Sequence, residues 1–357
     1  MQRTLDRQAD RIEMVLASHR IQARVRGGRI TPTAITFELM TPLGTRVRRV
    51  STLAEELAMA LGVPNVQVRR GKGVIEIEIP RVDRKPVPLE RLLSRLSHSP
   101  RVTALLGVDV EGVPLMLRID SPDVAHVLLA GTTGSGKTVL LRLIGLTLAY
   151  WNRQAHVQLV LVDPKRRGLG PLARLPHVWG EGVFARPEAI VGVLERLVAL
   201  MEQRDRGGRS WPRVVVLVDE LAEVLHLGGR PAHQALTRLV QRGREAGIHV
   251  VAATQKPAAS VLGSVLKGNF PVRLVGRVAS ADDARVAAGI AGTGAEKLRG
   301  RGEFLLVTGG EVIPFLAAYL DNTALHQLVE RIRARGRPDR AGWQTKVRRA
   351  LAINLTT

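Results

Sequence analysis

Apolar positions along the chain fall into two regimes. Between Ser121 and about Leu320, short aliphatic runs alternate with longer stretches of helical periodicity. The pattern predicts strand 126–130, helix 137–151, strand 157–162, helix 187–205, strand 213–218, helix 232–246 and strand 248–253. Uninterrupted runs such as Val214-Val215-Val216-Leu217-Val218 suit strands buried on both faces, and their alternation with helices predicts a mainly parallel sheet covered on both sides. Residues 1–100 read differently, as a small α+β unit. Helices are predicted at Thr4–Ser18 and Leu53–Leu61, and strands at Gln22–Val25, Ala34–Leu39, Val66–Val68 and Val74–Ile79. The strict alternation Ile75-Glu76-Ile77-Glu78-Ile79 marks a half-exposed strand. Pro86, Pro88 and Pro100 interrupt the pattern, so a connector is expected up to about Asp120. Three parts result: an N-terminal domain with connector over 1–120, an α/β domain over 121–325, and a C-terminal helix (Thr323–Ala334) with an Arg-rich tail over 326–357.

Composition narrows the chemistry. The 357 residues contain no cysteine, which excludes disulfides and thiolate metal sites and fits the cytoplasm. The longest apolar stretch, Leu140–Trp151, contains Arg142 and falls short of the roughly 20 residues a bilayer span needs, so no membrane span is expected. Lys and Arg number 53 against 32 Asp and Glu, a net charge of +21 suited to a polyanion or an anionic membrane surface. Aromatics make up only 3%, so binding by stacked aromatic platforms, as in single-strand readers, is not expected.

The most specific motif is Gly131-Thr132-Thr133-Gly134-Ser135-Gly136-Lys137-Thr138, set between a strand and a helix. Glycines there let backbone N–H groups converge on the phosphates of ATP, Lys137 adds a point charge, and Thr138 offers a hydroxyl to Mg²⁺. Asp219 and Glu220 follow the aliphatic strand 214–218, where Asp219 would join the Mg²⁺ shell and Glu220 would polarise an attacking water. Gln255 closes another strand, Ala252-Ala253-Thr254, where an amide can hold the γ-phosphate or the water. In parallel sheets ligands bind beyond the carboxyl ends of strands, where Gly131, Asp163, Asp219 and Gln255 all fall. Arg244 sits at a helix end, either as a solvated charge or as a guanidinium aimed at transition-state charge.

HVLLAGTTGSGKT, Leu161-Val162-Asp163-Pro164-Lys165, VVVLVDELAEVL, and the stretch from Arg244 through GIHVVAATQKP to Gly268–Arg273 together resemble the motor domain of the FtsK/SpoIIIE DNA translocases. The likeness covers about 121–320 and, more weakly through Thr36-Phe37-Glu38-Leu39, the α domain of that family. It implies a RecA-like P-loop NTPase domain behind a smaller α+β domain, acting as a homo-hexameric ring that hydrolyses ATP at subunit interfaces and pumps double-stranded DNA through its channel. Lys137 and Thr138 would then grip phosphate and Mg²⁺, Asp219 and Glu220 would be metal-side acid and base, Gln255 a sensor, and Arg244 a finger acting in trans. Channel-loop positions matching the family's basic residues are Lys256, Lys267 and Arg285, while Ala281 stands where relatives carry a further Lys. Two other functions fit the same motor: protein export, and DNA transfer by a plasmid or mobile element. The membrane spans, linker and winged-helix γ domain of housekeeping members have no counterpart in these residues.

Overall fold

The computed structural model describes residues 2–30, 34–42, 44–71, 73–81, 86–96, 99–255, 257 and 268–335. The chain divides into two compact units, one formed by Met1–Val87 with Val108–Val113 and one by Pro88–Gly107 with Pro114–Thr357.

The first unit holds α1 (Gln2–Ser18), β1 (Arg24–Ile30), β2 (Ala34–Met40), α2 (Val47–Ser51), α3 (Ala54–Leu61), β3 (Gln67–Arg70) and β4 (Ile75–Pro80). Its antiparallel sheet runs β1-β2-β4-β3. Ile75, Ile77 and Ile79 pair with Leu39, Phe37 and Ile35 and turn inward, as the two-residue period requires. Leu5, Ala9, Ile12 and Leu16 form the helical stripe of α1 that joins the same core.

The second unit begins with α4 (Leu89–Arg95), β5 (Thr103–Asp109) and β6 (Pro114–Arg118). This corrects the expected connector, because Thr103–Val108 is a buried strand. Prolines at 86, 88 and 100 therefore flank elements and do not mark a long loop. The unit division consequently falls at Val87, earlier than the boundary near residue 120 read from the sequence.

Then follow β7 (Val127–Ala130), α5 (Lys137–Trp151), β8 (Val157–Val162), β9 (Val178–Phe184), α6 (Pro187–Gly207), β10 (Arg213–Val218), α7 (Leu221–Arg242) and β11 (Ile248–Thr254). The remaining elements are β12 (Val272–Val275), α8 (Ala281–Ala288), β13 (Glu303–Thr308), β14 (Glu311–Ala317) and α9 (Asn322–Arg335). The strands form one ten-stranded sheet, β6-β5-β14-β13-β12-β7-β11-β10-β8-β9. From β12 to β9 neighbours are parallel, whereas β12, β13 and β14 pair antiparallel.

Alternate residues of the central strands face opposite layers. Val160, Val162, Val214, Val216, Val218 and Val250 pack with Ile190, Leu194 and Leu197 of α6 and with Val224, Leu236 and Leu239 of α7. Each buried aliphatic side chain contributes up to about 1.5–3 kcal/mol relative to exposure. On the other layer α5 presses close at Gly145, whose Cα would place a Cβ 2.6 Å from Leu217 Cδ1.

Helix α7 starts at Leu221, eleven residues before the predicted 232. The Gly-Gly-Arg-Pro string at 228–231 reads as a break, yet the chain only kinks at Gly229 (φ 57°, ψ −150°). Leu221, Val224, Leu225, Ala232, Ala235, Leu236 and Leu239 continue one buried stripe across the kink.

Candidate nucleotide site

Four parallel strands deliver the predicted residues to one edge of the sheet. Pairing of Thr254 with Ala130, and of Val218 with both Val162 and Ala252, brings Gly131, Asp163, Asp219 and Gln255 to neighbouring strand ends. The phosphate loop takes the positive φ values that glycine permits: 153° at Gly131, 80° at Gly134 and 104° at Gly136. Lys137 opens α5 and folds its Nζ back over the loop, donating to the carbonyl oxygens of Gly131 (2.7 Å) and Thr132 (3.0 Å). Burial lowers its pKa, opposed by the negative charges of Glu220 and Asp219.

Thr138 Oγ1 donates to the Asp219 carboxylate, at 3.1 Å from Oδ1 and 3.3 Å from Oδ2. Burial raises the Asp219 pKa, and the neighbouring Asp163 raises it further. Asp163 joins this cluster as well, a side chain to which the sequence pattern assigns no role. It is buried, and it accepts from the backbone N–H groups of Lys165 (2.9 Å), Gly168 (2.8 Å) and Leu169 (2.9 Å). Gly168 is wedged so tightly between the two carboxylates that a Cβ there would lie 1.9 Å from Asp219 Oδ2 and 3.2 Å from Asp163 Oδ2. Arg142 of α5 fastens the same turn by donating to the carbonyls of Gly168 and Arg167. The signal was the Asp-Pro-Lys phrase at a strand end, with glycine five residues after the acid.

Glu220 precedes α7 in the left-handed region at φ 63°, an uncommon conformation for a residue with a Cβ. Its Oε1 accepts from Thr254 Oγ1 and from the Gln255 backbone N–H, both at 3.2 Å. Gln255 Oε1 in turn accepts from Thr133 Oγ1 at 3.1 Å. One polar chain thus joins the acid, the β11 terminus and the phosphate loop. Thr254, fully buried, was not among the expected site residues.

A second brace comes from segments no motif pointed to. Arg277 O, just after β12, accepts from Thr132 N (2.7 Å) and Thr132 Oγ1 (3.1 Å). The turn before β13 returns the contact, as Arg301 N donates to Gly134 O (3.3 Å) and Gly302 N to Ser135 O (3.1 Å). Ser135 is fully buried against Gly276, where a Cβ would approach its Cβ to 2.9 Å.

Other expected residues do not join this cluster. Arg244 lies in the turn before β11, at the amino ends of the parallel strands, exposed, with Nη1 donating to Pro122 O at 3.3 Å. That is the opposite edge of the sheet from Gly131 and Asp219. Arg285 is an exposed residue of α8, 3.8 Å from Asp282. Lys256 and Lys267 lie outside the described residues.

Chemically, the edge offers a backbone cradle with a cation for phosphate, and hard oxygen donors for a small divalent cation. Thr138 and Asp219 suit Mg²⁺, which keeps waters and needs few protein ligands. No cluster of three or more His, Cys, Asp or Glu capable of caging a metal exists among the described residues.

The FtsK/SpoIIIE family profile matches residues 90–210 and 205–259, and the FtsK alpha domain profile matches 1–81. The chain belongs to the FtsK/SpoIIIE family. Among curated FtsK/SpoIIIE relatives it is 30% identical over 338 residues to DNA translocase FtsK of Sporosarcina ureae, covering 86% of this chain and 43% of that protein. It is 29% identical over 364 residues to DNA translocase SftA of Bacillus subtilis (strain 168), covering 94% and 38% respectively. The chain therefore spans about two fifths of the length of these relatives. The fold matches the pCW3 conjugation coupling protein TcpA in its monomer form with ATPγS, at TM-score 0.63 and 20% identity over 91% of this chain and 98% of that one. The cytoplasmic domain of the type VII secretion ATPase EccC of Thermomonospora curvata aligns at TM-score 0.58 and 24% identity, over 70% of this chain and 34% of that one. The second unit thus has the P-loop ATPase fold that the resemblance implies, on the mainly parallel sheet expected from its strand–helix alternation. No helix among the described residues is long and apolar enough to cross a membrane.

Proposed function

We propose that the chain hydrolyses ATP with Mg²⁺ and uses the energy to move double-stranded DNA by sequence-independent phosphate contacts, as a cytoplasmic ring of six copies. The observation that carries this reading is the convergence of Lys137, the Thr138–Asp219 pair and the Glu220–Gln255–Thr133 chain at one sheet edge.

In this mechanism the loop amides of 131–138 and the Lys137 ammonium hold the β- and γ-phosphates. Thr138 and Asp219 would hold Mg²⁺, which when bound would supply charge neutralisation on those oxygens. Glu220 accepts the proton of the attacking water. Thr254 and the Gln255 N–H already fix one of its oxygens, which leaves the other for the water. Loss of the γ-phosphate would be felt at Gln255 through Thr133 and passed to the segment after 255. Arg244, on the far edge, serves the site of a neighbouring copy, as a guanidinium supplied in trans does. The net charge of +21 and the basic positions Lys256, Lys267 and Arg285 supply the DNA side, since charge contacts hold any sequence and carry no base information.

The test is turnover of the purified chain with and without duplex DNA. Stimulation by duplex is expected, and Lys137→Ala and Glu220→Gln should abolish hydrolysis while DNA binding persists. Normal hydrolysis by both variants would refute the site assignment. Turnover by a wild-type chain that neither binds duplex nor responds to it would favour protein export as the work done.

A further inference from the structure

The phosphate loop has two flanks. Strand β7, which carries it, lies between β11 and β12, in the order β12-β7-β11-β10-β8. Asp219, Glu220 and Gln255 all sit beyond β10 and β11, so the groups suited to the γ-phosphate occupy one flank. On the opposite flank stand Arg277, which follows β12, and the turn Gly300-Arg301-Gly302, both bonded to the loop itself. A triphosphate laid along residues 131–138 with its γ end toward Glu220 must lead its nucleoside toward that second flank.

Resting on the ATP reading above, we infer that Arg277 and the 300–302 turn form the nucleoside wall of the site, with the Arg277 guanidinium lying against the face of the base. Arg277 is exposed, and no ion pair holds it among the described residues. Its position is nonetheless defined: a Cβ built on Gly300 would lie 3.9 Å from Arg277 Cδ and 3.4 Å from Gly134 O, so the side chain runs beside the loop apex. Phe304, whose ring packs beneath Gly136 and Gly276, is fully buried and offers no surface to a base. A planar guanidinium also stacks on a π face, and lysine lacks that plane. Gly300 takes the left-handed conformation (φ 78°), which favours glycine and leaves this part of the wall without a side chain.

The experiment is calorimetric titration of the full chain with Mg²⁺-ATP and, separately, with Mg²⁺-tripolyphosphate, which has the phosphates without the nucleoside. Arg277→Ala should weaken ATP binding roughly 5- to 10-fold, the size of a partly desolvated cation–π contact. Tripolyphosphate binding and the melting temperature should stay unchanged. Arg277→Lys should behave like Arg277→Ala, because charge without a plane does not stack. ATP and tripolyphosphate weakening together would make Arg277 a phosphate contact or a brace and overturn the inference, as would unchanged ATP affinity or full rescue by Lys. A wild-type chain that binds neither ligand would instead overturn the ATP reading on which the wall depends.

Discussion

Two buried imidazoles at the amino ends of β7 and β11 should make the second unit acid-labile. His126 and His249 are 2% and 1% exposed, with ring centroids 6.4 Å apart. The Val250 N–H donates to His126 Nδ1 at 3.0 Å, so this nitrogen carries no proton. His249 Nδ1 donates to Ala125 O at 2.9 Å. His249 Nε2 has no hydrogen-bond partner among the described residues, whereas the Val240 backbone faces the His126 ring and partly offsets the lowering of its pKa. Burial, followed by repulsion from His249, lowers the His126 pKa to about 3. Burial lowers that of His249 to about 4; Arg213 and Arg204 depress it further, while the Ala125 bond and Asp120 oppose. A folded pKa below the unfolded value near 6.5 means that the unfolded chain binds the proton more tightly, so acid favours unfolding. Above pH 6.5 neither state is protonated and the pair has no effect. Between 6.5 and about 4 each ring removes about 1.4 kcal/mol per pH unit. At pH 5 that is roughly 2 kcal/mol per ring and about 4 kcal/mol for the pair, a large part of a domain's margin. The rings are too buried for solvent to screen the effect. Trp151, Trp179 and Trp211 lie in the second unit and no tryptophan falls in Met1–Val87 or Val108–Val113, so fluorescence-monitored urea unfolding follows the second unit and not the first. The control is the double variant His126→Asn, His249→Asn, since Asn can accept from Val250 N and donate to Ala125 O without titrating in this range. Its stability should fall between pH 7 and pH 5 by about 4 kcal/mol less than that of the wild type. A pH dependence matching the wild type to within about 1 kcal/mol would refute the assignment.

Four further outcomes are expected. Gly168→Ala should abolish or nearly abolish ATP turnover while leaving DNA binding intact, because its Cβ would collide with Asp219 Oδ2 at 1.9 Å; turnover within threefold of wild type would show that the Asp163–Asp219 wedge is not needed. Gly107→Ala should cost about 2–4 kcal/mol by urea unfolding, since its Cβ would stand 2.0 Å from Leu316 O at φ 153°; a loss below about 0.5 kcal/mol would refute the close approach of β5 to β14. Each of Lys256, Lys267 and Arg285 that meets a phosphate should, when changed to Ala, reduce the log–log salt slope of duplex binding by about 0.9, and unchanged slopes would remove these residues from the DNA interface. Arg244→Ala subunits mixed with wild type should depress turnover below proportion, and strict proportionality would exclude action in trans.

What the sequence made legible was whatever one strand end and its next few residues determine. Lys137, Thr138, Asp219, Glu220 and Gln255 each follow directly from an aliphatic run, and parallel pairing then brings those runs into register. Side chains whose role depends on a second segment were not legible. Asp163 reads as one more acid at a strand end until Gly168 and Leu169 return their N–H groups to it and Gly168 is pinned against Asp219. The brace on Thr132 comes from Arg277, 145 residues away, just after a short four-residue strand with no motif. Strands β12–β14 escaped the pattern because they depart from strand–helix alternation, and β5–β6 because three prolines made their surroundings look like a linker. Arg244 shows the converse: the motif named it, but only the fold puts it on the edge away from Gly131. If this guanidinium assists hydrolysis, it therefore acts on the nucleotide of another copy, and the site made of 131–138, 219–220 and 255 needs a neighbouring subunit to be complete.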